Sequence, residues 1–167
     1  NGADAVYMGF GGLNARRSAR NFTDEEFREA VAYCHLRGVK VYLTLNTLVT
    51  DRELPAAAEA LKKASDMGVD AILIQDWGIW RLAQEIAPEV PLHASTQMSL
   101  HTLAGARLAA ELGMERVVLA RELGMDEIRE IRRRVDPALE LETFCHGAMC
   151  VSYSGRCLLS NLSLIHI

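Results

Sequence analysis

The sequence predicts an α/β fold, a parallel β/α (TIM-like) barrel present as an incomplete barrel of about six strands. Three observations lead there. Short apolar runs alternate with helical patterns along the whole chain. The joints repeat: Gly2-Ala3-Asp4-Ala5-Val6, Gly38-Val39-Lys40-Val41-Tyr42, Gly68-Val69-Asp70-Ala71-Ile72 and Gly113-Met114-Glu115-Arg116-Val117 each read as helix stop, tight turn, strand. The strands are almost continuously apolar, the pattern of a parallel sheet covered by helices.

The elements follow in order. A strand at residues 4–8 precedes a helix at 24–37, where Thr23 and Glu26 stand at capping-box spacing. Phe27, Ala30, Val31 and Cys34 line one face of that helix, and Gly38 ends it. A strand at 39–45 leads to a helix at 52–67, where Leu61, Ala64 and Ser65 run into Met67-Gly68 by the same logic. Strands at 71–74, 92–94, 116–120 and 139–144 then alternate with helices at 77–87, 99–112 and 125–135. Gly9-Phe10-Gly11-Gly12 lacks the spacing and the immediate helix of a dinucleotide fingerprint, which argues against a Rossmann fold.

Half of the 167 residues are apolar, enough for the core of one domain. That domain is expected over residues 1–161, as a fragment truncated at both ends, with 162–167 a non-native or disordered tail. A barrel short of strands exposes sheet edges, so poor solubility, an oligomer or a partner subunit is expected. No apolar run approaches the roughly 18–20 residues of a membrane span, and no signal peptide opens the chain. The net charge of −4 argues against a broadly basic nucleic-acid surface while leaving room for a local patch. Four cysteines without secretory features fit a reducing, cytoplasmic location.

Polar residues recur where the strands end: Asn46, Gln75-Asp76, Ser95-Thr96-Gln97, Arg121-Glu122, and Glu142 followed by His146. In a β/α barrel these ends meet at the mouth that binds substrate. Arg16, Arg17 and Arg20 sit in a long connection after the first strand and suit a carboxylate or phosphate, as does Arg121. Arg132, Arg133 and Arg134 end a helix and read as a solvated face; Trp77 and Trp80 read as packing, and His35 and His101 as surface or packing residues.

The densest signal is Cys145, Cys150 and Cys157, three of the four cysteines within thirteen residues. Thiolates are strong soft-metal ligands and strong nucleophiles. Cys150 and Cys157 are seven apart, with Gly155 between them to bend the loop, a gap wider than that of a structural zinc knuckle. An iron–sulfur cluster tolerates such spacing; buried structural thiols are the alternative. Cys145 adjoins His146, but neighbours on a strand point to opposite faces, so a thiol–imidazole pair would draw on His93 instead. Glu142 is placed to orient His146 or accept a proton. Cys34 belongs to the helix's apolar face.

The segment from Glu142 through Phe144, Gly147, Ala148, Met149, Cys150, Gly155 and Cys157 to Leu159 and Ser160 resembles the signature of peptidase family U32, the collagenase-like proteases. Leu13-Asn14-Ala15-Arg16 with Asn21-Phe22, the run from Val41 to Asn46, and His93-Ala94-Ser95-Thr96-Gln97-Met98 also look like family segments. The resemblance implies either collagen-degrading peptidases or hydroxylation factors acting on transfer RNA, ribosomal RNA or the ubiquinone ring. It further implies a [4Fe–4S] cluster with Cys150 and Cys157 as two ligands and two more beyond the C-terminal end. The expected site is therefore Glu142, His146, Cys145 and His93 for catalysis, with Asn14, Arg16, Asn46, Gln75, Gln97 and Arg121 for substrate. The expected activity is cluster-dependent hydroxylation of an RNA base, with peptide hydrolysis or a non-enzymatic RNA- or partner-binding module as alternatives.

Overall fold

The computed structural model describes residues 2–15, 21–147, 150 and 152–155. The chain divides between Pro91 and Leu92 into two compact units. The first contains β1 (Ala5–Met8), α1 (Asp24–His35), β2 (Lys40–Leu45), α2 (Leu54–Met67), β3 (Ala71–Ile74) and α3 (Trp77–Ile86). The second contains β4 (Leu92–Ala94), a 3-10 turn (Thr96–Met98), α4 (Leu103–Glu111), β5 (Arg116–Val118), α5 (Met125–Arg134) and β6 (Glu140–Glu142). Within each unit strand order follows chain order, β1-β2-β3 in the first and β4-β5-β6 in the second, each step bridged by a helix. This is the predicted α/β class, with parallel strands alternating with helices in each unit.

Within the first unit β1, β2 and β3 are parallel, with Val6 opposite Val41 and Leu43 opposite Ile72. Val41, Tyr42, Leu43 and Leu45 are buried, and every residue of β3 is. The amphipathic helices that join consecutive parallel strands cover one face of such a sheet, and side chains of the strands themselves fill the other. Helix α1 starts where the sequence places it: the Thr23 hydroxyl accepts from the Glu26 amide at 3.2 Å, and the Glu26 carboxylate accepts from the Thr23 amide at 2.9 Å. Its fully buried Phe27 ring lies 4.8 Å from Phe10 and 6.3 Å from Phe22. Helix α2 ends on Gly68 in the left-handed region, φ 71°. The Asp76 carboxylate caps α3 by accepting from the Gly78 and Ile79 amides at 2.7 and 3.2 Å.

In the second unit β4, β5 and β6 are parallel, pairing His93 with Arg116 and Val118 with Glu142. Arg116 straddles the last two strands, donating to Glu140 at 2.7 Å and to Glu142 at 3.2 Å. Several boundaries differ from expectation. Helix α4 begins at Leu103 rather than 99, because the Thr102 hydroxyl caps the Gly105 amide and Ser99 takes a left-handed conformation, φ 57°. The strand expected to reach 120 ends at Val118, although the Leu119 and Ala120 amides still donate to the Glu142 and Leu100 carbonyls. Arg132 does more than face solvent: its guanidinium donates to the Leu139 carbonyl at 2.6 Å and the Asp136 carbonyl at 2.7 Å, closing the turn into β6.

Phe27 anchors the aromatic cluster under α1, and its removal leaves a cavity. Phe27→Ala should lower the unfolding free energy by about 3–5 kcal/mol, read as a reduced urea midpoint at unchanged slope. A loss within experimental error would show that the cluster carries no packing role.

Candidate functional site

Two groups of polar residues follow the strand ends, one in each unit. In the first unit Asn14 is buried at 3% exposure, and its amide nitrogen donates to Asn21 at 3.0 Å and to the Gly11 carbonyl at 3.4 Å. Asn46 accepts from the Ala15 amide at 3.1 Å. The Thr44 hydroxyl donates to the Met8 carbonyl at 3.2 Å. A Cβ on Gly9 would lie 2.9 Å from the Asn14 side chain and 3.0 Å from Thr44, so this corner closes only around glycine. Asn14 and Asn46, expected to bind substrate, thus brace the connection after β1. Gln75 is half-buried after β3, beside the capping Asp76. Arg16 lies outside the described residues.

The second unit gathers its polar groups around Ser154, which is 2% exposed. The Glu122 carboxylate accepts from the Ser154 amide at 2.9 Å and its hydroxyl at 3.4 Å. The Arg121 amide donates to the Ser154 hydroxyl at 3.2 Å, and the Ser99 hydroxyl donates to the Ser154 carbonyl at 2.5 Å. The Arg121 guanidinium reaches along the same loop to the Ser152 carbonyl at 2.9 Å and the Cys150 carbonyl at 3.4 Å. The second Glu122 oxygen lies 3.1 Å from His101 Nε2, whose Nδ1 is 2.7 Å from the Ser99 carbonyl. At Gly155, φ 77°, any side chain would overlap the Gln97 carbonyl and the Ser99 hydroxyl. The loop carrying Cys150 is thereby strapped onto the ends of β4 and β5.

On this frame the chemistry-bearing residues take distinct positions. Cys150 is exposed, and its sulfur accepts from the Ser152 amide at 3.4 Å. Cys145 and His146 are both exposed just beyond β6. His93 is buried within β4 at 4% exposure, Gln97 is half-buried in the 3-10 turn, and Glu142 is engaged by Arg116. Tyr153 is 66% exposed, its ring centroid 6.1 Å from that of His101. Among the described residues no three His, Cys, Asp or Glu side chains converge as a metal site. Cys150 nonetheless fits one ligand position of an iron–sulfur cluster, with an accessible thiol and an amide hydrogen bond to the sulfur. Cys157 lies outside the described residues.

The sequence profile of peptidase family U32 matches residues 1–164. The chain belongs to peptidase family U32. Relatives include a 23S rRNA 5-hydroxycytidine synthase of Escherichia coli, 42% identical over 160 residues that make up 96% of this chain and 24% of that protein. The tRNA hydroxylation protein P of Helicobacter pylori is 41% identical, over 96% of this chain and 38% of that protein. A collagenase of Porphyromonas gingivalis is 37% identical, over 95% and 40%. A solved U32 peptidase superposes with a TM-score of 0.68 at 22% identity, covering 84% of this chain and 60% of that one, a likeness of fold. The U32 chain thus spans well under half the length of these curated relatives.

Several residues of the U32 site escape a reading of strand ends alone. Ser99 and Ser154 carry no pattern of their own, and His101 reads as a surface or packing residue until Glu122 and Ser99 are placed around it. No description of a membrane helix applies: no described helix is long and apolar enough to cross a bilayer.

Burial pushes the Glu122 carboxyl up, but the Ser154 amide, its own backbone amide, the Ser154 hydroxyl and nearby His101 outweigh that and hold it below its ordinary value of 4.5. A depressed folded-state value means stability present above the ordinary carboxylate range and lost as pH falls through the folded value. Glu122→Gln should therefore lower the melting temperature at neutral pH, with the gap from the parent protein closing below about pH 4.5. A gap that persists undiminished in acid would remove the ionised carboxylate from the account.

Proposed function

We propose that this U32 protein is an iron–sulfur-dependent factor in hydroxylation of an RNA base. Supporting this reading, the relatives near 40% identity include rRNA and tRNA hydroxylation proteins. The single observation that carries it is the exposed Cys150 thiol on a loop whose backbone is gripped by Arg121 and Glu122. A thiolate that served only to fill space would be buried, whereas a ligand needs access and a fixed backbone. Cys150 and Cys157 would hold the cluster together with ligands from the remainder of the protein. Bound there, the cluster would supply one-electron redox chemistry. The exposed Tyr153 ring, next to His101, would offer a stacking face to a base drawn out of its RNA.

Peptide hydrolysis is the second reading, favoured by the likeness to a collagenase. Its nucleophile would be Cys145, with His146 or His93 as the base. The two separate cleanly. In cells lacking the gene, complementation with the intact protein should restore a hydroxylated base in nucleoside mass spectrometry, and Cys150→Ala with Cys157→Ala should not. Restoration by that double variant would refute cluster ligation through these thiols. Cleavage of denatured collagen that survives iron chelation and disappears with Cys145→Ala would instead establish the peptidase.

A further inference from the structure

Arg121 and Glu122 engage the cysteine loop at alternate residues: the carbonyls of Cys150 and Ser152, then the amide and hydroxyl of Ser154. The Cys150 thiol and the Tyr153 ring stand exposed. Arg121 is thus committed at four points, donating through Nη1, Nη2, Nε and its own amide to the loop. A residue reserved for a phosphate or carboxylate would keep its fork free; this one spreads it across two peptide carbonyls.

We propose that Arg121 and Glu122 are positioning residues for metal loading, holding the Cys150–Gly155 loop so that the Cys150 sulfur is presented in one conformation before iron arrives. This rests on the cluster reading above. The physical effect is preorganisation: a ligand whose backbone is already fixed loses less conformational freedom on coordination and binds more tightly. The Ser152 amide donates to the Cys150 sulfur at 3.4 Å, and the Ser152 carbonyl accepts from Arg121 at 2.9 Å. One peptide segment therefore transmits the guanidinium's grip to the ligand atom. Hydrogen bonds to cluster sulfurs set reduction potential, so the effect extends from loading to redox properties. Lysine keeps the charge but has no planar fork to bridge two carbonyls, and should only partly replace arginine.

The test uses the full-length protein purified without oxygen, beside Arg121→Ala, Arg121→Lys and Glu122→Gln. Iron per chain, the electron paramagnetic resonance spectrum of the reduced cluster, its midpoint potential and the melting temperature are measured together. Arg121→Ala should carry several-fold less iron than the parent, and Arg121→Lys an intermediate amount. The residual cluster in both should show a shifted potential and altered resonance, with melting close to the parent's. Should Arg121→Ala fail to fold, Arg121→Lys and Glu122→Gln give the same readouts. Unchanged iron content and potential in all three, in a parent that does carry iron, would overturn the positioning role while leaving the cluster reading intact. An iron-free parent would overturn both. Full iron loading in Arg121→Ala with loss of RNA binding would return Arg121 to the substrate.

Discussion

The seating of Ser154 is the interaction on which the candidate site depends. Its amide, hydroxyl and carbonyl are all taken up by Glu122, Arg121 and Ser99, at 2% residual exposure. A buried peptide or hydroxyl left without a partner costs about 1–3 kcal/mol, so the seat is favourable only when all three are present. Gly155 makes the approach possible, since a side chain there would strike the turn that follows β4. From this one anchored residue the loop runs back through Tyr153 and Ser152 to Cys150. The position of the thiol is thus decided at Ser154, by groups 32, 33 and 55 residues upstream of it.

The architecture was readable because it is built from local signals. Thr23 and Glu26 announce the start of α1, Gly68 the end of α2, and apolar runs the strands; each needs only neighbours in sequence. Helix α4 starts at Leu103 rather than at the expected 99 because Thr102 caps it and Ser99 turns to bind Ser154. That partner lies 55 residues away, and no local pattern encodes it. The same holds for His101, which needs Glu122 from 21 residues on, and for Arg121, whose acceptors are backbone carbonyls that any residue provides. Asn14 and Asn46 sit after the strands, as expected, and Asn14 Nδ2 and Asn46 Oδ1 take up contacts within the connection after β1. The cysteines themselves were conspicuous; what holds them was not.

Membership of family U32 unites chains named for RNA hydroxylation and for collagen breakdown, and this chain is similar to both at comparable identity. Fold therefore does not choose between them, and the choice must come from the site. An exposed thiol with a fixed backbone and an amide donor to its sulfur is a ligand's environment. A nucleophile would need a base aligned with it, and Cys145 and His146 stand exposed side by side beyond β6 without such an arrangement being given by adjacency. Coordination is therefore the reading proposed for Cys150.

The central claim, that the cysteine loop is held by a fully satisfied and sterically exact seat at Ser154, is tested most directly by amide hydrogen exchange in Gly155→Ala. The account predicts that the Ser154 and Ser152 amides exchange much faster than in the parent protein, while amides of β5 and β6 keep their protection. Unchanged protection at Ser154 in that variant would mean that the loop does not need its seat, and the account of how Cys150 is presented would be wrong.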